Sequence, residues 1–483
     1  MDDSVALCRT EPAYPAVPPF HPHERYPEYP FEPIGAEPNP VYAAVRETFR
    51  LLGLDGARYG TPAWNPLGMF IHPGDKVLIK PNLVLHPRGS TPPEATITHP
   101  AVIRAVLDYA LIALQGAGEL TVGDAPLQKA DFQRVLDCLG LGETLCFVEG
   151  ACSEVRFRVE DFRLERAVVR HGVVVEREQQ RGDDKGLTPV DLGAASFLAP
   201  IAADYRRYRV TQYDPDEMTC HHNRERNEYL IANSVLDADV LIELPKLKTH
   251  RKAGLTGALK NLIGINGCKD WLPHHRVGPQ MTGEGDEYLC PCWRKRLNSW
   301  TQDTLERQQS RLTRYTLHWL SNAIFKSFQF WPPPDPYFEG SWWGNDTLWR
   351  TILDLNRVAQ FADRAGQIRE TPQRRLFVLL DAIIAGEEEG PLEPRAKPCG
   401  YLVAGAVPAY VDAVAARLMG FDYQRIPTIA HALRHLVDDP DLQRLQIIGP
   451  DGIPAAFADL HSQELPFLPP AGWRGHIEME YGP

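Results

Sequence analysis

The sequence predicts an α/β fold: a mainly parallel sheet flanked by helices, with an antiparallel insertion and a helical side lobe. Two observations carry this prediction. Short apolar runs stop abruptly at polar or glycine residues, as buried parallel strands do at their carboxyl ends, and helical patterns fall between those runs. The runs are Lys76–Ile79 before Lys80-Pro81-Asn82, Leu120–Val122 before Gly123-Asp124, Val240–Leu244 before Pro245-Lys246, Leu376–Leu380 before Asp381, and Tyr401–Val403 before Ala404-Gly405. Between them, the stretch from Pro100 to Gly116 sets Val102, Val106, Tyr109 and Ala113 on one face, and the stretch from Pro408 to Gly420 passes through Val411, Ala415 and Leu418. Ligands of such sheets bind beyond the carboxyl ends of the strands. The polar residues that follow each run are therefore expected to converge on one edge.

Along the chain, residues 1–45 read as a proline-rich arm, extended and either draped over the body or loose, because prolines recur from Pro12 to Pro40 among Tyr, Phe, Glu and His. Residues 46–267 and 341–450 form the α/β core. Within it, 153–228 reads as an antiparallel insertion with short alternating stretches at Val155–Val159 and Val173–Glu176. Residues 268–340 form a helical lid or side lobe around one long helix near 293–328, with Leu305, Leu312, Tyr315 and Trp319 at helical spacing. Its polar face mixes Arg with Asp and Glu, which favours a packing helix over one lying on a membrane. Residues 451–483 form a C-terminal tail.

The 483 residues are 43% hydrophobic and 24% charged, enough for a sizeable core. A formal charge of -12 argues against wholesale attraction to nucleic acid or to anionic lipid. No apolar run reaches bilayer length, so membrane insertion is not expected. The acidic start Met1-Asp2-Asp3 has no signal-peptide pattern, and a cytoplasmic location is expected. The nine cysteines are scattered, and Cys290-Pro-Cys292 has neither zinc-ribbon nor ferredoxin spacing.

Chemistry concentrates in residues 244–264. This segment holds Lys246, Lys248, Arg251, Lys252 and Lys260 without an acidic residue. Like charges within a Debye length of about 8 Å repel unless an anion or carboxylate offsets them. Gly254, Thr256 and Gly257 lie where a loop meets a helix start, whose amides favour an anion. With Thr249 and Asn261, the segment reads as a cradle for a phosphate, pyrophosphate or carboxylate. The alternative is a solvated basic loop in which Thr256 only caps the helix. No Walker spacing is present. His250 is placed either to move a proton near neutral pH or merely to bond its own loop.

Carboxylates form a second group. Asp124 and Asp381 follow predicted strands, Asp412 lies early in a helix, and Glu387–Glu389 form a run. Hard oxygen ligands beside a phosphate describe magnesium or another divalent metal, held by Asp124, Asp381 and Asp412. Alternatively, Asp412 serves its own helix dipole and the glutamates a solvated turn. Lys80 and Asn82 would orient the substrate, and His250, Lys260 and Asp381 would be catalytic. The pairs His221-His222 and His274-His275 are weaker metal candidates. Trp342 and Trp343 either pack the side lobe or stack on a ligand ring, and Asp346 is expected to cap the helix that follows.

Several of these motifs, taken in order, resemble the bacterial and archaeal domain-of-unknown-function family 362. They are Lys80-Pro-Asn-Leu-Val84, Ile97-Thr-His-Pro100, Val122-Gly-Asp124, Asp237-Ala-Asp-Val240, Leu244-Pro-Lys-Leu-Lys-Thr-His250 and Gly257-Ala-Leu-Lys-Asn-Leu262. Asp381 with Gly386, Gly390-Pro-Leu392 and Val411-Asp-Ala-Val414 continue the likeness, which covers about residues 70–420. The resemblance implies that some relatives associate with four-iron four-sulfur ferredoxin modules. This chain has no Cys-x-x-Cys-x-x-Cys run, so no iron–sulfur cluster carries over, and neither does any catalytic residue.

Three functions stay open at this point. The leading one is a metal-assisted enzyme acting on a small phosphorylated or carboxylated molecule. The others are an iron–sulfur-associated redox protein with a redox or biosynthetic partner protein, and a non-catalytic module that binds an anion or an acidic partner segment.

Overall fold

A mixed sheet of 11 strands organises the chain. The computed structural model describes residues 4–86, 91–152, 154–437, 442–460 and 465–480. Nine strands follow one another across the sheet: Pro454–Ala456, Gln446–Ile448, Ser4–Arg9, Glu393–Gly405, Arg375–Glu389, Val240–Leu244, Lys76–Pro81, Glu119–Asp124 and Arg156–Asp161. Lys246–His250 pairs with Arg375–Glu389 off this path, and Gly254–Thr256 folds back on it.

From Arg375–Glu389 to Arg156–Asp161 every pairing is parallel. These strands carry the apolar runs predicted above. One face is covered by the helices Pro40–Leu51 and Pro100–Leu114, the other by Leu348–Phe361, Pro408–Leu418 and Pro427–His435. Pro100–Leu114 begins with proline at its first position, where a missing N–H costs nothing, and His99 Nδ1 accepts from Ala101 N at 3.1 Å. It ends at Gln115, in the left-handed region at φ 51°.

Five expectations are corrected. Tyr401–Val403, read as a parallel strand, runs antiparallel to Arg375–Glu389, because the Gly390-Pro391-Leu392 connection is too short for a crossover. The arm opens with the strand Ser4–Arg9, seated inside the sheet between Glu393–Gly405 and Gln446–Ile448; beyond it, Phe20, Tyr26 and Tyr29 are buried in the core. Arg156–Asp161 is not part of an antiparallel excursion but pairs parallel with Glu119–Asp124 at the sheet edge. The antiparallel pairs of that region are Glu165–Arg170 with Val173–Gln179 and Leu187–Asp191 with Glu228–Ala232.

Finally, the long helix of the side lobe is two helices, Trp293–Glu306 and Arg311–Phe330. The second restarts at Ser310, whose side chain accepts from Thr313 N. Its break contains neither proline nor glycine, so the apolar periodicity runs on unmarked in the sequence. The helix after Gly344 is capped by Asn345, whose Oδ1 accepts from Thr347 N at 3.1 Å and Leu348 N at 2.9 Å, and not by Asp346.

Candidate functional site

Lys80 stands at the carboxyl end of Lys76–Pro81 and Asp124 at that of the neighbouring Glu119–Asp124. Lys246–His250 continues the chain beyond Val240–Leu244 after a single proline. A cavity of about 350 Å³ lies over these ends. It is lined by Lys80, Lys129, Lys248, Lys252, Lys260 and Lys269 with Arg251, against the carboxylates Asp124 and Glu339.

Lys80, Lys248, Lys252 and Lys269 have different local anchors. Lys80 Nζ lies 2.7 Å from Asp124 Oδ1 and donates to Pro81 O at 2.8 Å, while Asp124 Oδ2 accepts from Leu83 N at 2.7 Å. This pair requires Gly264: a Cβ there would stand 1.9 Å from Asp124 Oδ1. Lys248 Nζ donates to Thr96 O and reaches Asn82 Oδ1 at 3.5 Å. Lys252 Nζ donates to Thr211 Oγ1 at 3.1 Å, and Lys269 Nζ to the carbonyls of Ile263 and Asn266 at 3.3 Å. Lys260 has no hydrogen bond or ion pair among the described residues. Thr256, buried on the cavity wall, has a hydroxyl without a partner.

His250 Nδ1 accepts from Lys252 N at 3.0 Å and Ala253 N at 3.1 Å. Two donors on one ring nitrogen leave the proton on Nε2, so the ring presents an N–H as its remaining polar group. Burial, then the charges of Lys260, His274 and Lys248, hold its pKa well below the usual imidazole range. It is a neutral donor at pH 7. It cannot accept a proton while Nδ1 keeps both backbone bonds.

The lysines are perturbed in the same direction. Burial and then the charges of Lys260 and Lys246 push Lys248 well below its ordinary value. Lys260 falls to about 8 through burial, Lys252 and Lys80. Lys252 falls to about 8 through burial, against a pull from Glu339, and Lys269 to about 7 through burial, against Asp124. The common cause is positive charge held out of water without enough negative charge to match it. The other wall is apolar: Ala167, Val169 and Val174 from the antiparallel hairpin, with Val210, Leu272 and Leu392.

The cavity thus brings together Lys80, Asn82, Asp124, Lys248, His250, Thr256, Lys260 and Asn261 of the predicted site. It does not include the rest. Lys246 and Asp381 make a closed buried pair at 3.0 Å, with Tyr14 Oη donating to Asp381 Oδ1 at 2.6 Å and His99 N to Oδ2 at 3.0 Å. Thr249 donates to Glu388 O at 2.8 Å and does not line the cavity. Gly254, at φ 77°, lies under the Trp473 ring, and Trp473 Nε1 donates to Arg251 O at 2.7 Å.

Asp412 corrects the amide cradle. Its Oδ1 accepts from Ala258 N at 2.7 Å and its Oδ2 from Leu259 N at 3.0 Å, so the helix start proposed for an anion is already occupied. Gly257 admits this approach, since a Cβ would lie 2.0 Å from Oδ1. The three-carboxylate metal site is corrected with it, because Asp124, Asp381 and Asp412 each spend their oxygens on different protein donors. Among the described residues, no group of three or more His, Cys, Asp or Glu is placed to hold a metal. His221 stacks on Trp271 and pairs with Glu228, and His222 bonds Trp271 O. Trp342 is buried with its indole N–H on Asp286 O, and Trp343 stacks on His476.

Sequence reasoning missed Lys129 and Lys269 and left Lys252 out of the site. Lys252 carried a signal, its place in the acid-free segment. Lys129 sits in a turn and Lys269 opens the short 3-10 helix Lys269–Trp271, and neither has a periodicity to single it out. The Val169 and Val174 wall comes from a hairpin whose contact with the site is purely tertiary.

Fold and cavity define an α/β protein with a cation-lined pocket at the carboxyl edge of a mixed sheet. The chain belongs to the family described as Domain of unknown function (DUF362), which matches residues 77–168 and 166–417. It is 26% identical over 198 residues to a thylakoid-associated protein of Synechocystis sp. (strain ATCC 27184 / PCC 6803 / Kazusa). That match covers 41% of this chain, and the chain spans 41% of the relative's length. A crystal structure of a Thermotoga maritima protein aligns over 73% of this chain and 53% of its own, with a TM-score of 0.26 and 12% identity. Among the described residues, no helix is long and apolar enough to cross a membrane.

Proposed function

We propose that the protein binds a small phosphorylated molecule in the lysine-lined cavity. The observation that carries this reading is the convergence of six lysines from four stretches of chain on two carboxylates, with the Lys260 amine and the Thr256 hydroxyl left unpartnered among the described residues. A buried cation without a counter-charge is costly. A phosphate or pyrophosphate supplies several acceptors and more than one negative charge in one group, and so relieves several lysines together. Lys248, Lys252, Lys260, Thr256 and the His250 Nε2–H would hold the anion, with Lys80 kept in place by Asp124. The apolar wall at Val169, Val174 and Leu272 would take the organic part of the ligand.

The same groups suit turnover of a phosphorylated substrate. Fixed cations and a neutral N–H donor stabilise charge that develops on a leaving oxygen. With its own carboxylates engaged, the protein would receive any magnesium together with the ligand's phosphates, as that ion commonly arrives.

Isothermal calorimetry tests the binding reading with inorganic pyrophosphate, a nucleoside diphosphate, a sugar phosphate and a dicarboxylic acid, each in two buffers of different ionisation enthalpy. An anion raises the depressed lysine pKa values, so binding at pH 8 takes up protons and the apparent enthalpy depends on the buffer. Absence of heat with every phosphate compound, or binding unchanged in Lys260→Ala, overturns the proposal.

A further inference from the structure

Outside the cavity lining, the side lobe displays an extended apolar surface. Of the 16 large hydrophobic side chains exposed among the described residues, nine fall within residues 293–331. Trp293, Leu297 and Trp300 recur at four and three residues along Trp293–Glu306, which sets them on one face. Leu312, Trp319 and Phe330 follow at seven and eleven residues along Arg311–Phe330, close to whole turns. Trp293, Trp319 and Phe330 are 72%, 71% and 75% exposed. A groove lined by Trp293 and Leu297 on one helix and Ala323, Ile324 and Trp331 beyond it joins the two stripes.

Apolar patches of this extent on a protein surface mark an interaction, and charge says with what. Residues 293–331 contain seven Lys and Arg against two Asp and Glu, in a chain of net charge -12. Both acids are turned inward: Arg209 holds Asp303 at 2.8 Å and Arg314 holds Glu306 at 2.7 Å. Arg294, Arg311 and Lys326 enter no ion pair among the described residues. Arg294 lies over the Phe328 ring and donates to Trp331 O at the groove's rim. Lys326 is four residues, about one turn, from Phe330 and seven residues from Trp319, within the same stripe.

Indoles and phenyl rings interleaved with unpaired cations are the composition of helices that lie at a lipid–water boundary. A balanced mixture of Arg, Asp and Glu, which the sequence suggested, would not favour that setting; the two inward pairings take the hairpin's own acids off its outer face, while Arg296 and Arg307 pair with Glu284 and Asp216 of other segments. We infer that this helical hairpin docks the protein peripherally on an anionic lipid surface, with the tryptophans at headgroup depth and Arg294, Arg311 and Lys326 facing the phosphates. With +5 in residues 293–331 and -12 overall, the rest of the chain carries a formal charge of -17, so this segment is the one drawn to such a surface against the trend of the whole. Arg311–Phe330 also packs on the strand Val173–Gln179, whose Val174 lines the cavity, so docking would set the ligand's apolar wall one layer from lipid.

The test is co-sedimentation of the full chain with phosphatidylcholine vesicles, with and without phosphatidylglycerol, and with indole emission recorded alongside. Binding to the anionic vesicles, a blue shift and weakening by salt are expected, with affinity roughly tenfold lower in the double variant Trp300→Ser, Trp319→Ser. Arg311→Glu with Lys326→Glu, which touches no apolar residue, is expected to remove the preference for phosphatidylglycerol. No binding to either vesicle overturns the inference, as does binding untouched by both pairs of changes. Sedimentation equilibrium that shows a dimer broken by the tryptophan changes, without lipid binding, overturns it in favour of a second copy of the chain.

Discussion

Replacing Lys260 by methionine is expected to make the empty protein more stable and its anion binding worse. Lys260 is half-buried, faces the cavity and has no hydrogen-bonding partner among the described residues. Burial, then Lys252 and Lys80, lowers its pKa from 10.5 to about 8. At about 1.4 kcal/mol per tenfold change, this fall corresponds to about 3 kcal/mol of destabilisation, and partial exposure reduces it to about 1–2 kcal/mol. The sign follows from proton binding. Between about pH 8 and 10.5 the unfolded chain holds the Lys260 proton more tightly than the empty folded protein, so stability rises with pH across that window. Below it the penalty is complete. Methionine keeps the length of the side chain and removes the charge.

At pH 7 the variant should therefore unfold at higher denaturant concentration, by about 1–2 kcal/mol, and the difference should vanish above pH 10. Pyrophosphate should reverse the order, because a ligand at 100 times its Kd adds about 2.7 kcal/mol to the wild type and far less to a variant that binds it weakly. Urea melts at pH 7 and pH 10, with and without pyrophosphate, measure all four states. A variant less stable than wild type at pH 7, or an equal gain from pyrophosphate in both proteins, refutes the reasoning.

Thr256→Val removes a buried hydroxyl that has no partner, so stability should hold or rise slightly while pyrophosphate affinity falls about fivefold, as calorimetry would show. Asp381→Asn leaves Lys246 buried beside an uncharged partner; a loss of about 3–5 kcal/mol in a urea melt is expected, with anion affinity kept, since the pair lies outside the cavity. Asp412→Ala exposes the Ala258 and Leu259 amides and should cost about 1–2 kcal/mol, again in denaturant melts. Burial raises the Asp412 carboxyl to about 7, so its folded form holds a proton that the unfolded chain has released. Its unfavourable contribution therefore grows as pH rises from about 4 to 7, and in Asp412→Ala that slope should be missing from the pH dependence of stability.

Much of the frame was legible without coordinates. An apolar run that ends in a charged residue has one comfortable burial, inside a sheet with its polar end at the edge, and this placed Lys80, Asp124, Lys246 and Asp381 near one another in expectation; Lys80 and Asp124 do meet in the cavity. The density of cations in 244–264 likewise pointed to the right stretch of chain, and the ordered motifs to the family. What remained hidden was pairing. Asp381 and Lys246 follow apolar runs as plainly as Asp124 and Lys80 do, yet they close on each other with Tyr14, more than 360 residues from Asp381 in the chain.

Local pattern determines which residues leave a strand and what charge they carry, because those properties belong to a few consecutive side chains. Whether two such charges neutralise each other, cap a helix as Asp412 does, or face an empty space depends on contacts between distant segments. Only the tertiary structure decided that, and it also turned Asp303 and Glu306 inward and left a row of tryptophans and unpaired cations on the outside.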